Sequence, residues 1–223
     1  MTHSTPAAVL WDMDGTLINS EPYWISAENE LVESFGGEWT HDDAMAVVGS
    51  GLFTSARAMQ GKGVELDEQS IVDRLTDRVM AQLKEFGIPW RPGARELLLE
   101  LREAGVPTAL VTMSISRMAH HVVDNLGFIG FDAVVSGDDV AHPKPHPDPY
   151  RVGADALGVS IADCVAIEDS PPGATSAFSA GATVIGVPFM VEIPEEQTHA
   201  LWPTLDGRTL AHLSELHSKV AIR

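Results

Sequence analysis

The chain has 223 residues, 44% of them hydrophobic, enough for one sizeable core or for a core domain carrying a modest insertion. Its 14 Lys+Arg against 32 Asp+Glu give a formal charge of −18, and so acidic a surface repels a phosphate backbone, which argues against a nucleic-acid partner. No apolar run approaches the roughly 18 residues of a membrane span, and the N-terminus lacks the basic start and apolar run of a signal peptide, so the expectation is a cytoplasmic protein with no membrane partner.

The first element is a short apolar run from Ala8 to Asp14, bounded by Pro6 and Gly15, which reads as a buried strand. From about Glu21 to Phe86 the pattern turns helical. Ile25, Leu31, Val32 and Phe35 recur at helical spacing, Asp67 is placed to cap a helix, and Ile71, Leu75, Val79 and Leu83 follow every fourth residue. Gly87, Pro89, Pro92 and Gly93 punctuate the end of this stretch. Helices and strands then alternate: helix Ala94 to Ala104, strand Thr108 to Thr112, helix Arg117 to Leu126, strand Ala133 to Ser136. A helix around Tyr150 to Leu157, strand Cys164 to Ile167, helix Gly173 to Ala180 and strand Thr183 to Val187 complete the series. This alternation predicts an α/β fold with a doubly wound parallel sheet. Residues 1–18 and 91–223 would form the core, and 19–90 an all-helical domain inserted after strand one. After Val191 only a helix near Leu210 to Leu216 is legible. Cys164, the single cysteine, lies in an apolar stretch and reads as a buried structural thiol.

Polar groups stand at the carboxyl ends of the predicted strands: Asp12 and Asp14, then Thr112, then Lys144 in the loop beyond Ser136, then Glu168 and Asp169. In an open parallel sheet ligands bind at that edge. Each group has a use in phosphoryl transfer, which needs a nucleophile, charge neutralisation and positioning. Asp12 can attack phosphorus as a carboxylate. Asp14, two residues on along extended backbone, can face the same site and serve as acid and base. Carboxylates this close need a cation, and an oxygen-rich site with Glu168 and Asp169 suits Mg²⁺. Lys144 supplies a point charge, and Thr112 with the groups of Met113 and Ser114 that follow can donate to phosphoryl oxygens. Read alone, an Asp-x-Asp-Gly fragment is also an acidic turn, and Glu168-Asp169-Ser170 is also a helix cap; the weight lies in four placements agreeing.

These residues resemble the haloacid dehalogenase superfamily, and within it the β-phosphoglucomutase-like phosphatases with a small helical cap. Asp12-Met13-Asp14-Gly15-Thr16-Leu17 is similar to its first motif, Thr112 to its second, Lys144-Pro145 to its third, and Ile167-Glu168-Asp169-Ser170 with Gly173 to its fourth. The resemblance implies a Rossmann-like core, Asp12 as nucleophile, and Asp14 as an acid/base that also ligates Mg²⁺ through its carbonyl. It further implies Asp169 as a direct ligand, Glu168 as a ligand or outer-shell partner, and Thr112 and Lys144 as phosphate holders. Asp14 disfavours the metal-free dehalogenases, which lack it.

A β-phosphoglucomutase-type mutase is the rival within the family. An ungapped alignment from Asp12 puts Trp24 where the mutase has a cap histidine and Leu52 where it has a phosphate-gripping arginine, so both positions favour hydrolysis. Asn19-Ser20-Glu21-Pro22-Tyr23-Trp24 resembles the opening of the first cap helix in sugar-phosphate phosphatases, making Glu21 and Trp24 candidate substrate contacts, although Trp24 reads equally as a core aromatic. Gly49-Ser50-Gly51 lacks the setting of a phosphate loop and reads as a cap loop, in which Ser50 and Gly51, with Arg57 beyond, are further candidate contacts. His142 and His146 look like a metal pair only superficially, since prolines should hold their loop extended and no cysteine joins them. A phosphoacceptor receiver module uses similar groups but lacks a helical insertion after strand one. The expected partner is a small phosphorylated metabolite, bound by a monomer whose site is complete within one chain.

Overall fold

The computed structural model describes residues 4–47 and 51–221. Its strands are β1 (Ala8–Trp11), β2 (Thr108–Val111), β3 (Ala133–Val135), β4 (Cys164–Glu168), β5 (Thr183–Gly186) and β6 (Ala200–Leu201). They form one sheet in the order β3-β2-β1-β4-β5-β6, and every pairing is parallel. This is the doubly wound order, with the topological switch between β1 and β4. Side chains alternate across the sheet: Val9, Trp11, Leu110, Val165 and Ile167 enter one buried cluster, while Ala8, Leu10, Ala109, Val111 and Ala166 enter a second on the opposite face. Strands buried on both faces cannot alternate apolar with polar, which is why they appear in the sequence as unbroken apolar runs.

Between β1 and the second strand the chain forms α1 (Glu21–Ser34), α2 (His41–Val47), α3 (Leu52–Gly61), α4 (Glu68–Phe86) and α5 (Ala94–Glu103). In α4 the Ile71, Leu75, Val79 and Leu83 stripe is buried in one cluster with Trp24, Ala27, Leu31 and Val32 of α1. The Asp67 side chain accepts the Ser70 N–H at 2.9 Å, the expected N-cap. The two crossings between α1–α4 and the sheet run side by side. Asn19 N–H donates to Pro89 O at 2.6 Å, Arg91 N–H donates to Leu17 O at 3.0 Å, and Ile18 bridges Trp90.

The remaining helices are α6 (Ser116–Asp124), α7 (Asp148–Ala156), α8 (Pro171–Ala180) and α9 (Leu210–Ala221). Leu97 and Leu98 of α5, Met118 of α6 and Leu213 of α9 cover one face of the sheet, and Tyr150 of α7 with Ala174 and Ala177 of α8 cover the other. Among the described residues no helix is long and apolar enough to cross a membrane.

Three details depart from expectation. The first strand ends at Trp11 rather than Asp14: Asp12 N–H still reaches Ile167 O at 3.1 Å, but then Leu17 and Ile18 N–H turn back onto Met13 O, with Gly15 at φ 88°. The two-residue β6 was not foreseen, because so short an edge carries no periodicity to read. The proline-rich loop at His142 is not extended. His146 N–H donates to Pro143 O at 2.9 Å, closing a turn around Lys144.

Candidate active site

At the carboxyl edge of β1 and β4 lies a buried charge cluster. The Lys144 Nζ donates to Asp12 Oδ1 at 2.7 Å, to Glu168 Oε1 at 2.6 Å and to Val111 O at 2.9 Å. It sits 5.1 Å from the centroid of the Tyr150 ring, whose hydroxyl donates to Glu168 Oε1 at 2.7 Å. Glu168 Oε2 accepts from Asp169 N–H and from Ser170 Oγ, each at 3.1 Å. Glu168 therefore stands at the N-terminus of α8, where the helix dipole favours a carboxylate. It fits there because residue 173 is glycine: a Cβ at Gly173 would collide with the Glu168 carboxyl group, as one at Gly15 would with that of Asp169.

The electrostatics leave room for a cation. Burial raises the pKa of Asp12, and Glu168 raises it further against the opposing effect of Lys144. Burial, then Asp12 and Glu168, push Asp169 well up. Burial disfavours the charged Lys144, but Asp12 and Glu168 more than offset this and hold its pKa above the usual lysine range. Three carboxylates thus face one ammonium. Carboxyl oxygens of Asp12, Glu168 and Asp169 lie within 4.8 Å of one another, and Asp12 Oδ2 is buried without a hydrogen-bond partner among the described residues. An all-oxygen donor set with an unused acceptor fits a hard divalent ion.

Asp14 faces the helices instead of the trio. Its Oδ1 accepts from Ser20 Oγ and from Trp24 Nε1, the latter at 3.2 Å, and its Oδ2 accepts from Ser114 Oγ at 2.7 Å. A cavity of about 100 Å³ separates the sheet edge from the helices. Asp12, Asp14, Lys144 and Asp169 line its floor; Glu21, Trp24 and Glu28 of α1, with Leu52 and Ser55 of α3, line its roof. Burial pushes both Glu21 and Glu28 up to about 7, and Glu21 also feels the charges of Asp14, Glu28 and Asp12.

Residues 9–187 match the family model of the haloacid dehalogenase-like hydrolases. The chain belongs to this family. It is 33% identical to hexitol phosphatase A of Escherichia coli (strain K12), with 83% of this chain and 84% of that protein covered. It is 31% identical to hexitol phosphatase B of the same strain, with 97% and 98% covered. Its fold is similar to the crystal structure of CbbY from Rhodobacter sphaeroides in complex with phosphate, at 28% identity and a TM-score of 0.85, covering 93% of this chain and 99% of that one.

This haloacid dehalogenase-like hydrolase brings most of the predicted site residues together. Asp12, Lys144, Glu168 and Asp169 form the cluster, and Met113, Ser114, Glu21 and Trp24 line the cavity with Asp14. Thr112 is buried at the end of β2 with its hydroxyl accepting the Ser114 N–H at 3.0 Å, so it braces the loop and does not line the cavity. Ser50 lies outside the described residues. Gly51 caps α3 away from the lining, and the exposed Arg57 pairs with Glu68 at 3.1 Å. Its α3 face is the solvent face, the buried one being Ser55, Ala56 and Met59. Sequence reasoning missed Ser20, Glu28, Ser55 and Tyr150. Glu28 had a signal, since Glu21, Trp24 or Ile25, and Glu28 fall at helical spacing along one face. Tyr150 had none, because its meeting with Glu168 depends on how α7 packs on the sheet.

Proposed function

We propose that the chain is a Mg²⁺-dependent phosphomonoester hydrolase that acts on a small phosphorylated sugar or polyol through an aspartyl-phosphate at Asp12. The observation that carries this reading is the Asp12–Lys144 pair at the sheet edge beneath a roofed cavity. Lys144 fixes Asp12 and offers positive charge to the phosphoryl group. The Asp12 carboxylate forms a bond to phosphorus as the bond to the leaving oxygen breaks, and Asp14 gives that oxygen its proton. A water molecule then gives a proton to Asp14 and attacks phosphorus, releasing phosphate and restoring Asp12. Met113 and Ser114 position the phosphoryl oxygens, and Thr112 holds their loop. Asp12, Asp169 and Glu168, with Asp14, would hold Mg²⁺, which when bound neutralises charge on the phosphoryl group.

In this reading residues 1–18 and 91–223 are the core and 19–90 a cap that excludes water and selects the substrate; the paired crossings at Asn19 and Pro89 support that division. The described roof residues offer Glu21, Glu28 and Ser55 and no cation. That suits a neutral, hydroxyl-rich group better than a second phosphate, in agreement with the two hexitol phosphatases being relatives. Leu52 and Trp24 lining the roof also support hydrolysis over sugar-phosphate isomerisation. The proposed enzyme is a monomer acting in the cytoplasm, in keeping with a cavity whose described lining residues one chain can supply. The test is an assay of the purified protein with Mg²⁺ against hexitol, hexose and carboxylate-bearing monophosphates. Hexitol or hexose phosphates are hydrolysed fastest, and Asp12→Asn abolishes turnover with the circular dichroism spectrum unchanged. Activity retained by Asp12→Asn overturns the mechanism.

A further inference from the structure

A second ligand-bearing cluster lies outside the active site, at His142, His146 and Asp148. The turn closed by His146 N–H on Pro143 O brings the two imidazole rings to a centroid separation of 4.5 Å. Asp148, the first residue of α7, then presents its carboxylate to both: His142 Nδ1 lies 2.8 Å from Oδ2 and His146 Nδ1 lies 3.1 Å from Oδ1. The backbone beneath is anchored, since Ser176 Oγ of α8 donates to His146 O at 2.5 Å. All three side chains remain open to solvent, at 63%, 45% and 32% exposure, so an arriving ion need not be fully desolvated.

We propose that His142, His146 and Asp148 bind a divalent transition-metal ion of the zinc class. Two imidazole nitrogens and a carboxylate oxygen are a common zinc donor set, and they leave a fourth position for water. One ligand atom from each residue lies within 4.8 Å of the others, against about 3.4 Å between ligand atoms placed tetrahedrally around Zn²⁺, so side-chain rotations that also free His146 Nδ1 from the Asp148 N–H at 3.3 Å bring them to an ion. Binding through His142 Nδ1 uses the neutral ring with its proton on Nε2, so the contact of Nδ1 with Asp148 gives way to the metal. The two clusters differ in kind: imidazole nitrogen favours zinc-class ions, whereas the all-oxygen trio of Asp12, Glu168 and Asp169 favours Mg²⁺. Lys144 lies between the two histidine ligands in the chain, so an ion here clamps from outside the turn whose lysine holds Asp12 inside.

The experiment titrates Zn²⁺ alone into the full-length protein in excess Mg²⁺, by calorimetry and by thermal melting. Wild type takes up one equivalent with a rise in Tm. His142→Ala and His146→Ala, both at exposed positions, lose the uptake and the Tm rise while keeping Mg²⁺-dependent activity within about twofold. Asp169→Asn keeps both, because the acidic trio is not the site. As a second measurement, Co²⁺ gives tetrahedral visible absorption in wild type and in Asp169→Asn but not in the histidine variants. Zinc uptake that survives both histidine substitutions, that is lost in Asp169→Asn, or that is absent from wild type overturns the proposal. Because zinc uptake, the Tm rise and the cobalt absorption need no substrate, failure of the phosphatase reading would leave those results intact.

Discussion

The indole Nε1 of Trp24 donates to Asp14 Oδ1 at 3.2 Å, so the first helix after β1 reaches down and holds the carboxylate proposed as the acid and base. Trp24 is thus both a buried residue of α1 and a part of the site. Trp24→Phe keeps the ring packing and removes the donor. Loss of the bond that positions Asp14 lowers kcat by about tenfold, and because a hydrogen bond contributes about 1 kcal/mol to the fold, Tm falls by only about 2–4 °C. Steady-state kinetics beside a melting curve check this. Unchanged kcat would mean that Ser20 and Ser114 suffice to hold Asp14.

Gly173 is where backbone and site depend on each other most closely. A methyl group there meets the Glu168 carboxyl, which must shift and release Lys144. Gly173→Ala therefore lowers stability by about 1–3 kcal/mol, as overpacking does, and lowers kcat together with it. Gly61, at the end of α3, is the control, because a methyl group added there meets nothing within 4 Å. Gly61→Ala leaves kcat unchanged and is neutral or stabilising by up to about 1 kcal/mol. Urea denaturation and kinetics on both variants separate the two cases.

Glu28 carries a pH prediction. It is 7% exposed and accepts from Trp39 Nε1 at 3.0 Å, and burial raises its pKa from 4.5 to about 7. The folded state thus holds a proton that the unfolded state loses between those values, so this group's contribution to stability is fully present below pH 4.5 and falls as pH rises through about 7. Glu28→Gln keeps an acceptor for Trp39 and removes the charge. At pH 8 the variant is more stable than wild type, by on the order of 2 kcal/mol, and at pH 4.5 the difference vanishes. Denaturant midpoints measured at both pH values test the sign; greater stability of wild type at pH 8 would refute it.

Arg117 of α6 reaches across to α4, donating to Asp73 O at 3.0 Å and Asp73 Oδ1 at 2.9 Å, and pairing with Asp77. These groups are substantially exposed, and exposed ion pairs contribute less than about 1 kcal/mol. In the proposed reading of residues 19–90 as a cap, their effect falls on its closure rather than on folding. Arg117→Ala raises KM about threefold with kcat nearly constant, and in 0.5 M salt the gap between variant and wild type narrows because the pairs are already screened. A salt-independent gap would assign Arg117 another role.

The apolar runs at Ala8, Thr108, Cys164 and Thr183 marked the sheet because a strand buried on both faces has no polar positions to blur it. The helical stripe in α4 and its Asp67 cap were legible for a similar reason, since local spacing and a local hydrogen bond decide them. Gly51, the N-cap of α3, and Arg57, on its solvent face, stand outside the cavity lining although Leu52 and Ser55 beside them in sequence belong to it. A helix turns neighbours away from each other, and only packing fixes which face looks down.

By itself, the sequence determined the order of elements and the chemical types at the sheet edge: Asp12, Asp14, Glu168 and Asp169 follow from where apolar runs end, and Lys144 from the loop after the third. The tertiary structure decided the partnerships. It gave Glu168 to Lys144 and Tyr150, turned Asp14 toward Ser20, Trp24 and Ser114, and folded the His142 loop into a turn that meets Asp148. Each of these joins residues from separate elements, and such contacts depend on the angle at which helices settle on the sheet, which no local spacing encodes.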